Sequence, residues 1–522
     1  MSERKRFYLT TAIDYPNSRP HIGTAFEKLG ADVQARYRRM QGYDVHFLMG
    51  NDENTIKVAK RAKELNQSPK AYCDEMARQF REVWDALEIS YDDFIQTSEP
   101  RHHTGCKKFI QTVYDNGYIY RGQYEGLYCD GCESFKTEKE LVDGKCPNHL
   151  VPAEKRSEPC YYFALSRFQE QLLEFYDQNP DFIQPESRRN EVISLVQSGL
   201  QDINITRTGQ DWGIPVPFAP GFTIYVWFDA LLNYITAIGY GTDEQRFQQW
   251  WPADIHFIGK DITRFHCALW PAMLWAAGLE PPRMVFGHGF VYMKNEDTGE
   301  AEKISKSLGN VVEPMSIVTE FSAEAFRYFF LRECPFPGDG EFGWKRFADV
   351  YNADLANNLG NLYSRVLTLI ARNFEGKLHE TAGVEPGAIY GEVDTETTTQ
   401  QVQKHIEACQ YNQALQRIWQ QILDPTNQFA EKNEPWKLVK SDKAAAKHVL
   451  FDMVEQLRIV SILLKPFLPA TSETIYKSFN FPQPWSEVRM EDVWVHYRPA
   501  EDVRITAEME GGKPKPLFPK IK

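Results

Sequence analysis

The first fifty residues contain two apolar runs of strand length separated by one long amphipathic segment. Phe7 to Ala12 and Val45 to Gly50 have the pattern of buried strands. Gly23 precedes a segment in which apolar residues recur at the spacing of one helix face: Phe26, Leu29, Val33, Tyr37 and Met40. A strand, a helix and a second strand in this order predict a βαβ unit, and therefore an α/β fold built on a parallel sheet.

The predicted type of secondary structure changes twice along the rest of the chain. From about Gly117 to Pro217, short strands, turns and a cysteine cluster predict an insertion, after which strands and helices alternate again. Helical patterns follow, beginning with Leu355, Leu359, Leu362, Val366 and Ile370, and the run Thr397 to Thr399 indicates a loop between two helices. We expect the domain ranges 1–117 (α/β, first half), 118–217 (insertion), 218–295 (α/β, second half), 296–350 (loop and linking region) and 351–522 (helical domain and tail).

Composition and charge narrow the class of protein. The chain has 522 residues, more than the roughly 250–300 that one core supports, so several domains are expected. A formal net charge of −13 argues against a generally basic nucleic-acid coat, although a local basic groove is compatible with it. The sequence has no apolar run of about 18 residues and no signal-peptide pattern, so we expect no membrane segment and no export.

Four potential metal ligands form two closely spaced pairs. Cys129 and Cys132 are separated by two residues, and Cys146 and His149 have the same spacing. Tetrahedral zinc takes ligands in such knuckles, and four protein ligands leave no open position, so one structural Zn²⁺ is predicted. The alternative is that these are unrelated residues, with the cysteines acting as small buried hydrophobes.

Two further stretches have the features of a site that binds the phosphates of a nucleotide. In PNSRPHIGTA, His21, Gly23 and Thr24 stand at a predicted helix entrance, where backbone N–H groups and a partial positive charge favour phosphate. In KISKS, Lys303 and Lys306 can meet the charge that develops on a departing pyrophosphate. Taken singly, the first stretch is equally explained by a capping histidine, and the second by a solvated surface loop.

Together the two stretches resemble the HIGH and KMSKS signatures of class I aminoacyl-tRNA synthetases. TTAIDYPNSRPHIG, HFLMGNDE, YVWFDALLNY, HFIGKDITRFH and the zinc knuckle narrow the resemblance to the methionyl-tRNA synthetase family. The resemblance implies a Rossmann-like catalytic domain with a zinc-knuckle insertion, followed by an α-helical bundle that binds the anticodon. It also implies activation of L-methionine by ATP, with Mg²⁺, to methionyl-adenylate, and transfer to the 3′ end of elongator and initiator tRNA(Met).

The resemblance assigns roles to individual residues. The ATP-binding residues would be His21, Gly23, Thr24, Lys303, Ser305 and Lys306, of which His21, Lys303 and Lys306 would be catalytic. Asp52 would meet the methionine ammonium, and the methionine side chain would be enclosed by Ala12, Ile13, Tyr15, Trp227, Leu231, Tyr234, Ile262 and His266. The anticodon would be read by Asn361, Arg365 and Trp436. For the aromatic residues, ordinary core packing is the alternative interpretation.

The chain departs from the family pattern at two positions. Thr24 and Asn54 stand where the family usually has histidines, so we expect activity with some changed ATP contacts. The insertion leaves no room for a large editing domain, so rejection of homocysteine would have to occur in the synthetic site. We further expect a cytoplasmic monomer.

Three alternatives stay open. Another class I synthetase is disfavoured by the short insertion for isoleucine, valine and leucine, and by the closed zinc site for cysteine. A small-molecule nucleotidyltransferase would share the HIGH-like turn but would not need the helical third. The non-enzyme alternative is an RNA-binding or chaperone module that kept the fold and the zinc but lost catalysis.

Overall fold

The computed structural model describes residues 5–129, 134–136, 141, 144–145, 152, 154–295, 298–304, 311–378, 393–494, 503–511 and 513–521. The strands are β1 (Arg6–Thr11), β2 (Asp44–Asn51), β3 (Asp93–Gln96), β4 (Ile119–Cys129), β5 (Ser134–Lys136), β6 (Glu154–Phe163), β7 (Ile183–Gln184), β8 (Ile203–Asn204), β9 (Thr206–Thr208), β10 (Phe222–Ile224), β11 (Ile255–Gly259), β12 (Val285–His288), β13 (Val291–Lys294), β14 (Ala301–Lys303), β15 (Gly340–Phe342), β16 (Lys377–Leu378), β17 (Val503–Arg504), β18 (Met509–Glu510) and β19 (Lys513–Pro514).

The helices are α1 (Ile22–Met40), α2 (Ile56–Glu64), α3 (Pro69–Ala86), α4 (Pro100–Asp115), α5 (Gln169–Gln178), α6 (Glu186–Gln197), α7 (Val226–Ala230), α8 (Asn233–Thr236), α9 (Glu244–Trp250), α10 (Trp270–Ala276), α11 (Pro314–Glu320), α12 (Ala323–Glu333), α13 (Trp344–Val350), α14 (Asn361–Asn373), α15 (Thr395–Glu407), α16 (Tyr411–Ile418), α17 (Asp424–Asn433), α18 (Pro435–Ser441), α19 (Lys443–Leu464) and α20 (Pro469–Lys477). Segments of π-helix occur at Phe265–Leu269, Tyr351–Gly360 and Trp419–Leu423. None of the described helices is long and apolar enough to cross a membrane.

Six of these strands form one parallel sheet in the order β3-β2-β1-β11-β12-β7. Its two faces pack into separate cores: Leu9 and Phe257 belong to one, Tyr8 and Ile258 to the other. Successive residues of a strand point to opposite faces, so this sheet is apolar and buried on both sides, as parallel sheets require. The α/β prediction is confirmed.

Helix α1 connects β1 to β2 in the predicted βαβ order. The predicted apolar stripe is buried, at Phe26, Leu29, Val33, Tyr37 and Met40. The helix also contacts the helical third of the chain, since Tyr411 Oη donates to Gly30 O at 2.7 Å. Arg327 and Asp32 form a fully buried ion pair at 2.6 Å, which ties α1 to α12.

The predicted insertion contains a second, antiparallel sheet in the order β5-β4-β6-β8. Strands β4 and β6 pair from Ile119↔Phe163 to Tyr128↔Glu154. Strand β7 lies in the same predicted range, 118–217, yet it pairs with β12 at the edge of the main sheet. The domain boundaries therefore stay a prediction.

Helices predominate after residue 350, as predicted. The apolar stripe from Leu355 to Ile370 is buried, and its first part lies in π-helix before α14 begins. The expectation of a loop at Thr397 to Thr399 is wrong, because these residues lie within α15. Asp394 caps that helix by accepting a hydrogen bond from the Thr397 N–H, and Thr399 is fully buried, so capping and burial outweigh the low helix propensity of threonine.

Candidate active site

A cavity of about 470 Å³ opens at the carboxyl ends of β1, β2, β11 and β12. Here the strand order changes direction between β1 and β11, which is where open α/β sheets bind ligands. The cavity is lined by twelve residues predicted from sequence: Ala12, Ile13, Tyr15, His21, Gly23, Thr24, Asp52, Trp227, Leu231, Tyr234, Ile262 and His266. The structure therefore brings the predicted methionine residues and the HIGT turn into one space.

The N-terminus of α1 forms one wall of this cavity. His21 is the N-cap, and its Nδ1 accepts a hydrogen bond from the Thr24 N–H at 3.2 Å. A Cβ at Gly23 would lie 3.1 Å from His21 Cε1, so a larger residue would displace the imidazole. The first turn of α1 has no acidic side chain, and its partial positive charge is thus available to an anion.

Asp52 lies directly beyond the end of β2 and is 4% exposed. Its Oδ1 is buried and has no hydrogen-bond partner among the described residues. Burial, followed by the neighbouring carboxylates of Asp229 and Glu53, raises the pKa of Asp52 well above its usual value. A cation placed beside Asp52 would supply the missing partner and would favour the ionised carboxylate.

The floor of the cavity is aromatic and uncharged. Trp227 stacks on Phe265 with ring centroids 4.0 Å apart. Tyr234 Oη lies 2.8 Å from His266 Nε2, and His266 Nδ1 lies 3.1 Å from Ile262 O. Because a carbonyl oxygen only accepts, Nδ1 carries the proton and Nε2 accepts from the tyrosine hydroxyl. Burial lowers the pKa of His266 to about 4, so the ring is neutral at neutral pH.

An ion-pair cluster in the same cavity was not predicted. Lys28 Nζ lies 2.7 Å from Glu27 Oε1 and 3.0 Å from Asp14 Oδ2. His288 Nε2 lies 2.9 Å from the other oxygen of Glu27. Burial alone would raise the pKa of Glu27, but the adjacent Lys28 and His288 lower it, so Glu27 presents a carboxylate. The sequence does contain a signal for this cluster. Glu27 and Lys28 follow Thr24 at the i+3 and i+4 positions, so the three residues share one face of the helix.

The KISKS stretch is described only in part. Lys303 ends β14, Ile304 lines the cavity, and Ser305 and Lys306 lie outside the described residues. On the far side of this stretch, Val312 O accepts a hydrogen bond from the Ile22 N–H at 3.1 Å. The chain on both sides of the stretch is therefore held at the cavity.

The predicted zinc ligands also fall mostly outside the described residues. Cys129 ends β4, whereas Cys132, Cys146 and His149 are not described. The described backbone pairs Cys129 with Ser134 and Lys145 with Pro152, so the two ends of each predicted ligand segment lie close together. Closely spaced ends are compatible with a zinc knuckle.

His102, Cys106 and Asp229 form a different cluster of potential ligands among the described residues. His102 Nε2 lies 2.8 Å from Asp229 Oδ1 and 3.2 Å from Cys106 Sγ. Two N or O ligands of one tetrahedral zinc lie about 3.4 Å apart, so the imidazole and the carboxylate are at hydrogen-bond distance instead. We interpret the cluster as a buried hydrogen-bond network.

The three predicted anticodon residues lie close together on the helical domain. The guanidinium carbon of Arg365 is 5.0 Å from the centroid of the Trp436 ring. Arg365 Nη1 donates to Glu431 Oε1 at 2.7 Å. Asn361 is exposed one turn before Arg365 on α14. An amide, a guanidinium and an indole therefore share one surface.

Comparison with known proteins agrees with this architecture. The family model described as "tRNA synthetases class I (M)" matches residues 7–157 and 150–367. The model described as "Anticodon binding domain of methionyl tRNA ligase" matches residues 382–509.

Individual relatives match over nearly the whole chain. A methionine–tRNA ligase of Caldanaerobacter subterraneus subsp. tengcongensis is 42% identical over 489 residues, which are 92% of this chain and 75% of that protein. One of Thermosynechococcus vestitus is 41% identical, covering 99% of this chain and 97% of that protein. The crystal structure of Mycobacterium tuberculosis methionyl-tRNA synthetase bound by methionyl-adenylate is 37% identical with a TM-score of 0.87, covering 99% of this chain and 100% of that one.

Proposed function

The chain belongs to the methionyl-tRNA synthetases of class I, and we propose that the cavity at the carboxyl ends of β1, β2, β11 and β12 binds methionine beside ATP. As a methionine–tRNA ligase, the protein activates methionine with ATP and transfers the methionyl group to tRNA. One observation carries the assignment of the cavity. A buried carboxylate with one unpaired oxygen, an aromatic floor and a helix whose first turn has no acidic side chain converge in it.

Methionine occupies the inner half of the cavity. Its α-ammonium meets the unpaired Oδ1 of Asp52, which is otherwise a costly buried acceptor. Its thioether rests on the aromatic floor formed by Trp227, Tyr234 and His266, because a polarisable sulfur packs well against rings. The remaining predicted methionine contacts are Ala12, Ile13, Tyr15, Leu231 and Ile262. This placement leaves the carboxylate directed toward the N-terminus of α1.

ATP occupies the outer half. His21, Gly23 and Thr24 present the positive end of α1 to the phosphates, and Mg²⁺ enters with ATP as part of the substrate. The methionine carboxylate attacks the α-phosphorus, and pyrophosphate leaves in line. Catalysis of such a step is mainly positioning and stabilisation of charge.

The KISKS stretch meets the departing pyrophosphate. Lys303, Ser305 and Lys306 supply two cations and a hydroxyl where negative charge accumulates. Two contacts support this assignment: Ile304 lines the cavity, and Ile22 N–H donates to Val312 O.

The helical domain binds the anticodon of elongator and initiator tRNA(Met). Asn361 and Arg365 present groups that hydrogen-bond base edges, and Trp436 offers a ring on which a splayed base can stack. The cation–π contact between Arg365 and Trp436 supports a shared role for the two side chains.

The zinc site has a structural role in this proposal. Cys129, Cys132, Cys146 and His149 hold one Zn²⁺ with no open coordination position, so the metal stabilises the insertion and takes no part in catalysis. We also infer that the protein acts as a monomer in the cytoplasm, where translation consumes aminoacyl-tRNA.

Amino-acid-dependent ATP–pyrophosphate exchange, screened over all amino acids, tests the proposal. We expect exchange with methionine alone, and an Asp52→Asn variant of equal size should raise the KM for methionine about 100-fold with little change for ATP. Exchange with another amino acid would contradict the specificity. A folded protein without any exchange would contradict adenylate formation.

A further inference from the structure

A second buried carboxylate contacts the segment that carries Asp52, through the side chain of Asn54. Asp229, on α7, is fully buried and does not line the cavity. Its Oδ2 accepts a hydrogen bond from Asn54 Nδ2 at 3.0 Å, and its Oδ1 lies 2.8 Å from His102 Nε2. Both oxygens are thus engaged, and the position of the carboxylate is fixed from two sides.

The partners of Asp229 are themselves anchored. Asn54 is 5% exposed, and its amide also donates to Thr97 O at 3.0 Å. His102 Nδ1 lies 2.8 Å from Thr236 Oγ1. A threonine hydroxyl can donate to Nδ1, which leaves Nε2–H of His102 to donate to Asp229. These contacts direct the Asn54 amide toward Asp229.

Among the described residues, no lysine or arginine pairs with Asp52 or Asp229, and the base in contact with Asp229 is the imidazole of His102. The titratable side chains that interact electrostatically with Asp52 are Asp229, Glu53, Tyr15, Tyr234 and Cys73. None of these five is a cation at neutral pH, and Asp52 Oδ1 has no hydrogen-bond partner among the described residues. Buried like charges are tolerated when a ligand of opposite charge completes the site.

We propose that Asp229, held by Asn54 and His102, is a positioning residue of the methionine-ammonium site. It adds a second, fixed negative charge near Asp52, so the cavity selects a ligand that carries an ammonium and rejects a methionine-like acid without one. The inference rests on the proposed function and deepens it. Asp229 acts through the field at Asp52 and touches neither substrate.

The test compares two ligands that differ only in the ammonium. Dissociation constants of methionine and of 4-(methylthio)butanoic acid are measured by equilibrium dialysis without ATP, from pH 6 to 9, for the wild type and for Asp229→Asn. At the high-pH plateau, where Asp52 is ionised in both proteins, methionine should bind the variant about 10- to 100-fold more weakly. The desamino acid should bind it no more weakly than the wild type.

The pH profile gives a second readout. Asp229 opposes the ionisation of Asp52, so methionine affinity in Asp229→Asn should reach its plateau at a lower pH than in the wild type. A merely structural role of Asp229 would not move this midpoint.

Asn54→Ala provides a second variant if Asp229→Asn does not fold. Loss of the amide removes one of the two contacts that fix the buried carboxylate beside the segment that carries Asp52, so the effect should have the same direction and a smaller size. The matched control is Asn116→Ala, which removes an amide that donates to Ala276 O at 2.8 Å beyond the C-terminal end of α4. This control should leave the ratio of the two dissociation constants unchanged.

The possible outcomes distinguish a failure of the role of Asp229 from a failure of the proposed pairing of Asp52 with the ammonium. Equal weakening of both ligands, or no change in either, would overturn the role of Asp229. A wild-type protein that binds both ligands equally would instead overturn the proposed pairing of Asp52 with the ammonium, and the inference would fail with it.

Discussion

The hydroxyl of Tyr234 and Nε2 of His266 lie 2.8 Å apart at the floor of the cavity, and both side chains are almost fully buried. The imidazole donates from Nδ1 to Ile262 O, which leaves Nε2 as the acceptor. This arrangement requires a neutral ring. The polar side-chain atoms of Tyr234 and His266 therefore satisfy one another, and neither side chain presents a charge to a thioether.

The neutral His266 predicts a pH-dependent contribution to stability. Its pKa is lowered from 6.5 to about 4 by burial, so between these values the unfolded chain binds more protons and the free energy of unfolding falls as pH falls. His266→Gln lacks this titration. We expect its destabilisation, measured by urea unfolding, to shrink by about 3 kcal/mol between pH 7 and pH 4. An equal penalty at both pH values would contradict the neutral ring.

Thr24 is expected to contribute one hydrogen bond to ATP. Thr24→Ala should raise the KM for ATP about fivefold in pyrophosphate exchange, the effect of one hydrogen bond, and should leave methionine binding without ATP unchanged. Thr24→Ser keeps the hydroxyl and is the matched control. If Thr24→Ala leaves the ATP dependence unaltered, only His21 and Gly23 of this turn take part in nucleotide binding.

Trp436 is expected to act on tRNA and not on adenylate formation. Loss of base stacking costs about 1–3 kcal/mol, so Trp436→Ala should lower kcat/KM for tRNA charging about 10- to 100-fold. Pyrophosphate exchange should stay at the wild-type rate, because Trp436 lies in the helical domain. Trp436→Phe should retain most of the charging activity, since a ring remains. Parallel loss of charging and exchange in Trp436→Ala would speak against an anticodon role.

The zinc prediction concerns stoichiometry and stability. Metal analysis of freshly purified protein should find one zinc per chain. Cys146→Ser should lose the zinc and lower the thermal midpoint, because a structural site contributes directly to folding. Cys160→Ser, at a buried cysteine outside the predicted knuckles, should retain the metal. Wild-type protein without zinc would remove the site.

Local patterns predicted those parts of the fold and site that depend on neighbours in sequence. The alternation of strands and helices identified the parallel sheet, and Asp52 was predictable because it directly follows β2, whose carboxyl end faces the ligand edge. Thr397 to Thr399 show the limit of propensity, since a capping Asp394 and burial override it.

Contacts between residues that are far apart in the sequence could not be predicted from local sequence patterns. Asn54 and Asp229 are 175 positions apart, and His102 and Asp229 are 127 positions apart. Each residue alone matches a common structural role, and only the folded chain shows that they meet. The same holds for β7, whose two residues, Ile183 and Gln184, do not reveal that the strand pairs with β12.

Helix α1 is fastened along its whole length. Its first turn carries His21 at the cavity, while farther along it Gly30 O accepts from Tyr411 and Gln34 donates to Ile406 O, both in the helical domain. Asp32, between them, is locked to Arg327. A helix is stiff along its axis, so the end that lines the cavity cannot tilt without straining these contacts. The helix therefore fixes the proposed site for methionine and ATP relative to the domain that matches the anticodon-binding family model.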